Sequence, residues 1–150
     1  MTRLGSTFKN SDGLRLKTFE LGGQIFRVRI PLTKEMEAIE ERINNIDAEE
    51  EQRRFDKMVA GFKDASVEGV DIVDGDVIVD GRSTRDMVRM VLKMENRVVE
   101  FIKMLVPVDG TLDDLTYEEI EAEWPMSVQL DILAKINEVI SPGYKEERKN

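Results

Sequence analysis

The stretch VDIVDGDVIVDGRSTRDMVRMVLKMENRVVEFIKML, residues 70–105, decides the fold class. It opens with two short β-forming runs, Val70 to Val73 and Asp76 to Val79, on either side of Asp74-Gly75. Asp-Gly between such runs is the strongest short-range hairpin signal, because both residues of the tight turn must take positive φ. Asp80-Gly81 closes that unit. Ser83 followed by Asp86 resembles a capping box, and beyond it apolar residues recur at helical spacing: Met87, Met90, Val91, Met94, Val98, Phe101, Ile102 and Leu105. This predicts a helix over 84–106, ended by Pro107 and Asp109-Gly110. A hairpin that runs into a long amphipathic helix predicts an α+β fold dominated by helices.

Upstream, Leu14 to Leu21 and Gln24 to Ile30 form a second pair of β-rich runs around Gly22-Gly23. Phe19 and Leu21 alternate with polar neighbours, as do Phe26, Val28 and Ile30, so one face should be buried. Lys17 shares parity with Phe19, which sends the basic end of this hairpin to solvent or to a partner. The expected class is therefore α+β, mostly helical with two short β-hairpins. Pro31 ends the second strand, and Thr33 is a reasonable cap for a helix with Met36, Ile39, Ile43 and Ile46 on one side. The apolar stripe lapses near Asp47 and resumes at Phe55, Met58, Val59 and Phe62, so the helix either continues through a solvated middle or breaks in two. Gly61, Asp64 and Gly69 mark its end.

Downstream, Thr116 with Glu119 is another capping box, opening a short helix to Glu123. Trp124-Pro125 interrupts it, with Pro125 placed for the first turn of a last helix from Met126 to Ile140. The organisation expected is a flexible arm over 1–13, a single α+β domain over 14–144 and a charged tail over 145–150. No internal repeat divides it.

Composition narrows the chemistry. The 150 residues include no His and no Cys, which removes the commonest zinc ligands, cysteine nucleophiles, Ser-His-Asp triads and disulfide scaffolds. A chain without an 18-residue apolar run, or an apolar core in its first 23 residues, is expected to be cytoplasmic, with no membrane span or secretory signal. Residues 1–31 hold six basic side chains against two acidic ones, a balance of +4 that leaves −13 for the rest of a chain whose net charge is −9. An acidic body argues against nucleic acid as its main partner, since phosphate binding needs clustered cations.

Carboxylates remain as the plentiful functional groups. Glu37-x-x-Glu40 and Glu68-x-x-Asp71 fit the spacing of all-helical nucleoside triphosphate pyrophosphatases, in which such acids hold magnesium against a triphosphate. The second pair runs into a hairpin pattern, however, and no basic cluster follows at a helical offset. Asp71, Asp74, Asp76 and Asp80 with Gly75 and Gly81 are similar to a calcium loop, but the ligand order of an EF-hand fails and ordinary turn chemistry accounts for them. No catalytic residue, metal ligand or cofactor is expected.

Met87, Met90 and Met94 have a double reading. Thioether side chains fill cores, and on an exposed face they repack around different partners. Arg85, Arg89, Lys93 and Arg97, at successive steps of four, form a basic stripe on the same helix; Asp109 to Glu123, with seven acids and no base, offers an acidic counterpart within the chain or between subunits.

The segment LTYEEIEAEWPMSVQLDILAKI, residues 115–136, followed by Ile140-Ser-Pro-Gly-Tyr144 and the charged end, resembles the C-terminal part of tail assembly chaperones from long-tailed bacteriophages. The shared pattern is an acidic stretch, an aromatic-Pro pair and Gln129-Leu130 opening a terminal amphipathic helix; it covers residues 107–150. The resemblance implies a non-enzymatic helical protein of the host cytoplasm that binds the hydrophobic tape measure protein, with the tail tube protein and further copies of itself as additional partners. It also implies a longer frameshifted form, for which the codons of Arg148-Lys149-Asn150 can supply a slippery run. Met87, Met90, Met94, Phe101, Trp124, Leu130 and Leu133 are the partner-binding candidates. The alternatives are an acidic inhibitor that imitates nucleic acid and the magnesium-dependent pyrophosphatase.

Overall fold

The computed structural model describes residues 11–61 and 69–141, together with Arg3, Thr7 and Phe8. It is a mixed α+β structure, mostly helical, with two small antiparallel sheets. The expected arm and tail, Phe62, Asp64 and Glu68 lie largely or wholly outside the described residues. The chain groups into two compact units, one of residues 1–39 and 98–150, the other of residues 40–97. The boundaries fall within helices. Among the described residues, no helix is long and apolar enough to cross a membrane.

In the first unit, β1 (Leu16–Leu21) and β2 (Gln24–Arg29) pair antiparallel through Gly22-Gly23, whose φ values of 61° and 80° make a tight turn that residues with a Cβ resist. Phe19 lies opposite Phe26 and their rings stack at 5.1 Å. Val28 is fully buried, and Lys17, its cross-strand partner, is exposed. Arg15 fastens the hairpin to helix α1 (Thr33–Asn44): its Nε donates to the Ile30 carbonyl at 3.0 Å, and its Nη2 meets Glu35 at 2.5 Å.

Thr33 is not the cap of α1. The Met36 N–H bonds the Leu32 carbonyl at 2.8 Å, and Glu35 reaches back to accept the Leu32 N–H at 2.8 Å, so Leu32 takes the cap position and Glu35 supplies half of a capping box. That hydrogen bond, and then the Arg15 guanidinium, hold the Glu35 carboxyl below its ordinary range. The apolar lapse at Asp47 is a true break: the Asp47 side chain accepts the Glu49 N–H at 3.0 Å and starts α2 (Ala48–Ala60), which Gly61 ends.

The second unit contains α2, the sheet β3 (Val70–Val73), β4 (Asp76–Val79) and β5 (Arg82–Ser83), and the first part of α3 (Thr84–Ile102). Asp80-Gly81 does not simply close the hairpin. With φ values of 52° and 79°, it repeats the Asp74-Gly75 turn and folds in β5 as a third strand. The core here is Phe55, Val77, Val88 and Leu92, with Ile46, Val59, Val70 and Val79 packed around it. The buried face of α3 thus begins with Thr84, Val88, Leu92 and Glu95, whereas Met87, Met90 and Val91 are exposed and Met94 is half-buried. Two registers of apolar residues compete on this helix, and its neighbours select the one containing valine and leucine.

Helix α3 also ends earlier than expected. After Ile102 the backbone tightens, and Leu105, expected as a helical core residue, instead forms a β-bridge to Val28. The Arg29 N–H donates to the Met104 carbonyl at 2.9 Å and the Val106 N–H to the Arg27 carbonyl at 2.8 Å. The outer edge of β2 satisfies these groups better than another helical turn, which Pro107 would interrupt.

Helix α4 (Tyr117–Glu123) starts at Thr116, whose side chain accepts the Glu119 N–H, and α5 (Met126–Ile140) packs against β1. Pro125 stands one position before α5, at its cap, with its carbonyl accepting the Val128 and Gln129 N–H groups.

Candidate functional site

In the first unit, the strip of chain stitched to β2 and the helix α4 border a groove of about 530 Å³. Its apolar lining comes from Phe26, Leu105, Leu112, Leu115, Ile120 and Trp124. Ile25 and Val108, also in the lining, are both exposed apolar side chains, Val108 completely so. Arg27 contributes the charge on the β2 side, and Glu119 with Glu123 contributes it on α4. A cavity of this size takes a few apolar side chains, and a small number of charges around such a lining orients what enters.

The wall formed by α4 is fixed from behind by a buried amide. Gln129, 1% exposed, donates from Nε2 to the Trp124 carbonyl at 2.8 Å and receives the Tyr117 hydroxyl at Oε1 at 3.2 Å. The unwound Trp124-Pro125 joint would otherwise leave that carbonyl without a helical partner. This gives Gln129 in the Trp-Pro-x-x-x-Gln-Leu pattern a definite structural duty.

Compared with protein-family models, curated proteins and solved structures, the chain matches none. What the candidate residues do must therefore be read from their own surroundings.

Trp124 lines the groove. Leu130 on α5 is exposed and Leu133 half-buried; Phe101, 5% exposed, belongs to the interior. Met87 and Met90 stand in the second unit, 39% and 69% exposed, beside exposed Val91. Ile25, Leu112, Leu115 and Val108 of the lining are not among the sequence candidates, since their only signal is apolar character without a helical partner.

Two members of the basic stripe on α3, Arg85 and Arg89, find partners on α2. Arg85 lies over the Phe55 ring, 3.9 Å from its centre, and donates to the Gly75 carbonyl and to Gln52, while Arg89 pairs with Glu51. Arg54 of α2 makes a two-pronged ion pair with Glu95, at 2.9 and 2.7 Å, and also holds Glu50.

Asp71 lies on a strand, exposed, and Asp74 and Asp80 occupy positive-φ turn positions. Asp76 is engaged at the start of α3: it accepts the Ser83 hydroxyl, the Val77 N–H at 2.7 Å and the Arg85 N–H at 3.1 Å, while Ser83 Oγ accepts the Asp86 N–H. The Ser83 hydrogen bond, with the two backbone donors, keeps its carboxyl below the ordinary range. Among the described residues, no three or more acidic side chains are grouped to hold a metal ion.

Proposed function

We propose that this protein is a non-catalytic tail assembly chaperone of a long-tailed bacteriophage, which shelters an apolar segment of the tape measure protein in the host cytoplasm before the tail tube forms. The observation that carries the reading is the apolar groove of the first unit, since it is walled by the same α4 and Trp124 on which the family resemblance rests. A hydrophobic client awaiting the tube that polymerises around it needs transient cover for its apolar side chains, and a groove with exposed apolar rims offers cover without a chemical step. Exposed Met87 and Met90 add an adaptable surface for the client or for a further copy of the chaperone.

The test is co-expression with the genes beside its own, followed by affinity capture. The expected result is a soluble complex with the tape measure protein, and loss of client solubility when Leu112 and Leu115 are both replaced by Glu. A tape measure protein that stays soluble alone, or never co-purifies, would overturn the reading.

A further inference from the structure

Resting on the client-binding reading, we infer that the groove selects a basic amphipathic helix: apolar side chains on one face, flanked by Lys or Arg one helical turn apart. Glu119 and Glu123 are four residues apart on α4, so they share a face, and both line the groove. Glu119 touches Thr116 at its cap, and among the described residues neither carboxylate has an ion-pair partner within the chain. Placing such groups beside Ile120 and Trp124 leaves two anions at the lip of an apolar slot, where an incoming cation is paired and partly desolvated.

The surrounding charge points the same way. Residues 109–123 carry seven acids and no base, so an anionic segment, a phosphate backbone or an anionic lipid surface meets repulsion from this segment. Arg27, which lines the groove from β2, adds one cation, which gives an entering helix a preferred way round: Lys or Arg towards α4, a polar or acidic residue towards β2. Spacing adds register. Lys or Arg residues four apart can meet both carboxylates together, whereas scattered charges meet one at a time.

Trp124 is the chain's single tryptophan and lines the groove, so its emission reports occupancy directly. The probes are two synthetic helical peptides with the same apolar residues, one with Lys and one with Glu at the flanking positions, titrated into the full-length protein. The Lys peptide should bind about tenfold more tightly at low salt, the scale that two partly shielded ion pairs supply, and lose that advantage as salt rises. A Glu119→Gln/Glu123→Lys protein should lose most of the preference. Gln at position 119 keeps the hydrogen-bonding group of the capping box and Lys suits the helix end, so the fold is spared; Glu123→Lys alone should give a smaller loss in the same direction.

Equal binding of both peptides, no binding of either, or a preference that survives in the variant would overturn the inference. So would a dimer of the free protein that Glu123→Lys dissolves, which would give the groove to a second copy. Capture of the tape measure protein with no charge preference among the peptides would sink the inference and spare the chaperone reading. A clear Lys preference without capture of that client would do the reverse.

Discussion

Gln129 Nε2 lies 2.8 Å from the Trp124 carbonyl oxygen, so one buried amide spans the break between two helices. Its other end receives the Tyr117 hydroxyl at 3.2 Å, which ties the start of α4 to its finish. Replacing Gln129 by Leu takes this donor from the Trp124 carbonyl and should cost about 1–3 kcal/mol, the penalty for an orphaned buried polar group. Urea denaturation should show the midpoint falling with the slope preserved, and Trp124 emission should shift under native conditions. An unchanged midpoint would mean that solvent satisfies the joint equally well.

The two faces of α3 should answer truncation differently. Leu92→Ala removes a buried side chain from the Phe55, Val77 and Val88 cluster and should destabilise by about 2–5 kcal/mol. Met90→Ala, on the exposed face, should stay within about 0.5 kcal/mol. Thermal denaturation of both variants checks this. Similar losses at the two positions would return the methionine face to the core.

Asp76 ties β4 to the N-terminus of α3 by accepting the Arg85 N–H and the Ser83 hydroxyl. Asp76→Ala should cost about 1–2 kcal/mol, as loss of a helix cap does, and Asp76→Asn less because it keeps an acceptor. Amide hydrogen exchange of Arg85 and Asp86 should accelerate in the Ala variant. Unaltered protection would mean that Ser83 caps the helix unaided.

Acid should weaken the fold through Glu50. Hydrogen bonds from Arg53 and then Arg54 hold its carboxyl at about 2, against an ordinary 4.5, so the folded chain binds this proton less readily than the unfolded chain. The resulting stabilisation is fully present above about pH 4.5 and is lost as the pH falls towards 2. Because the pair is partly exposed, the contribution is about 1 kcal/mol or less. Glu50→Gln should flatten that part of the curve of melting temperature against pH, and an identical curve would remove Glu50 as a cause.

Local chemistry written in consecutive residues was legible in the sequence. Gly22-Gly23 and Asp74-Gly75 specified their hairpins because the positive φ they adopt is a property of the turn itself. Thr116 and Ser83 marked helix starts because a short oxygen-bearing side chain reaches its own helix's amides. Which face of an amphipathic helix is buried is a different kind of question. Residues 87–94 offered a methionine stripe and 88–92 a valine-leucine one at the same period, and only Phe55 and Val77, distant in sequence, decide between them. The β-bridge of Leu105, the groove beside it and the role of Gln129 likewise depend on partners remote along the chain: an open strand edge, a proline that cannot continue a ladder, and a carbonyl exposed where two helices part. The sequence by itself determined the hairpin turns and the caps at Ser83 and Thr116, since their interactions close within a few residues; tertiary structure decided the buried faces and the groove, since those energies exist only once separate segments meet.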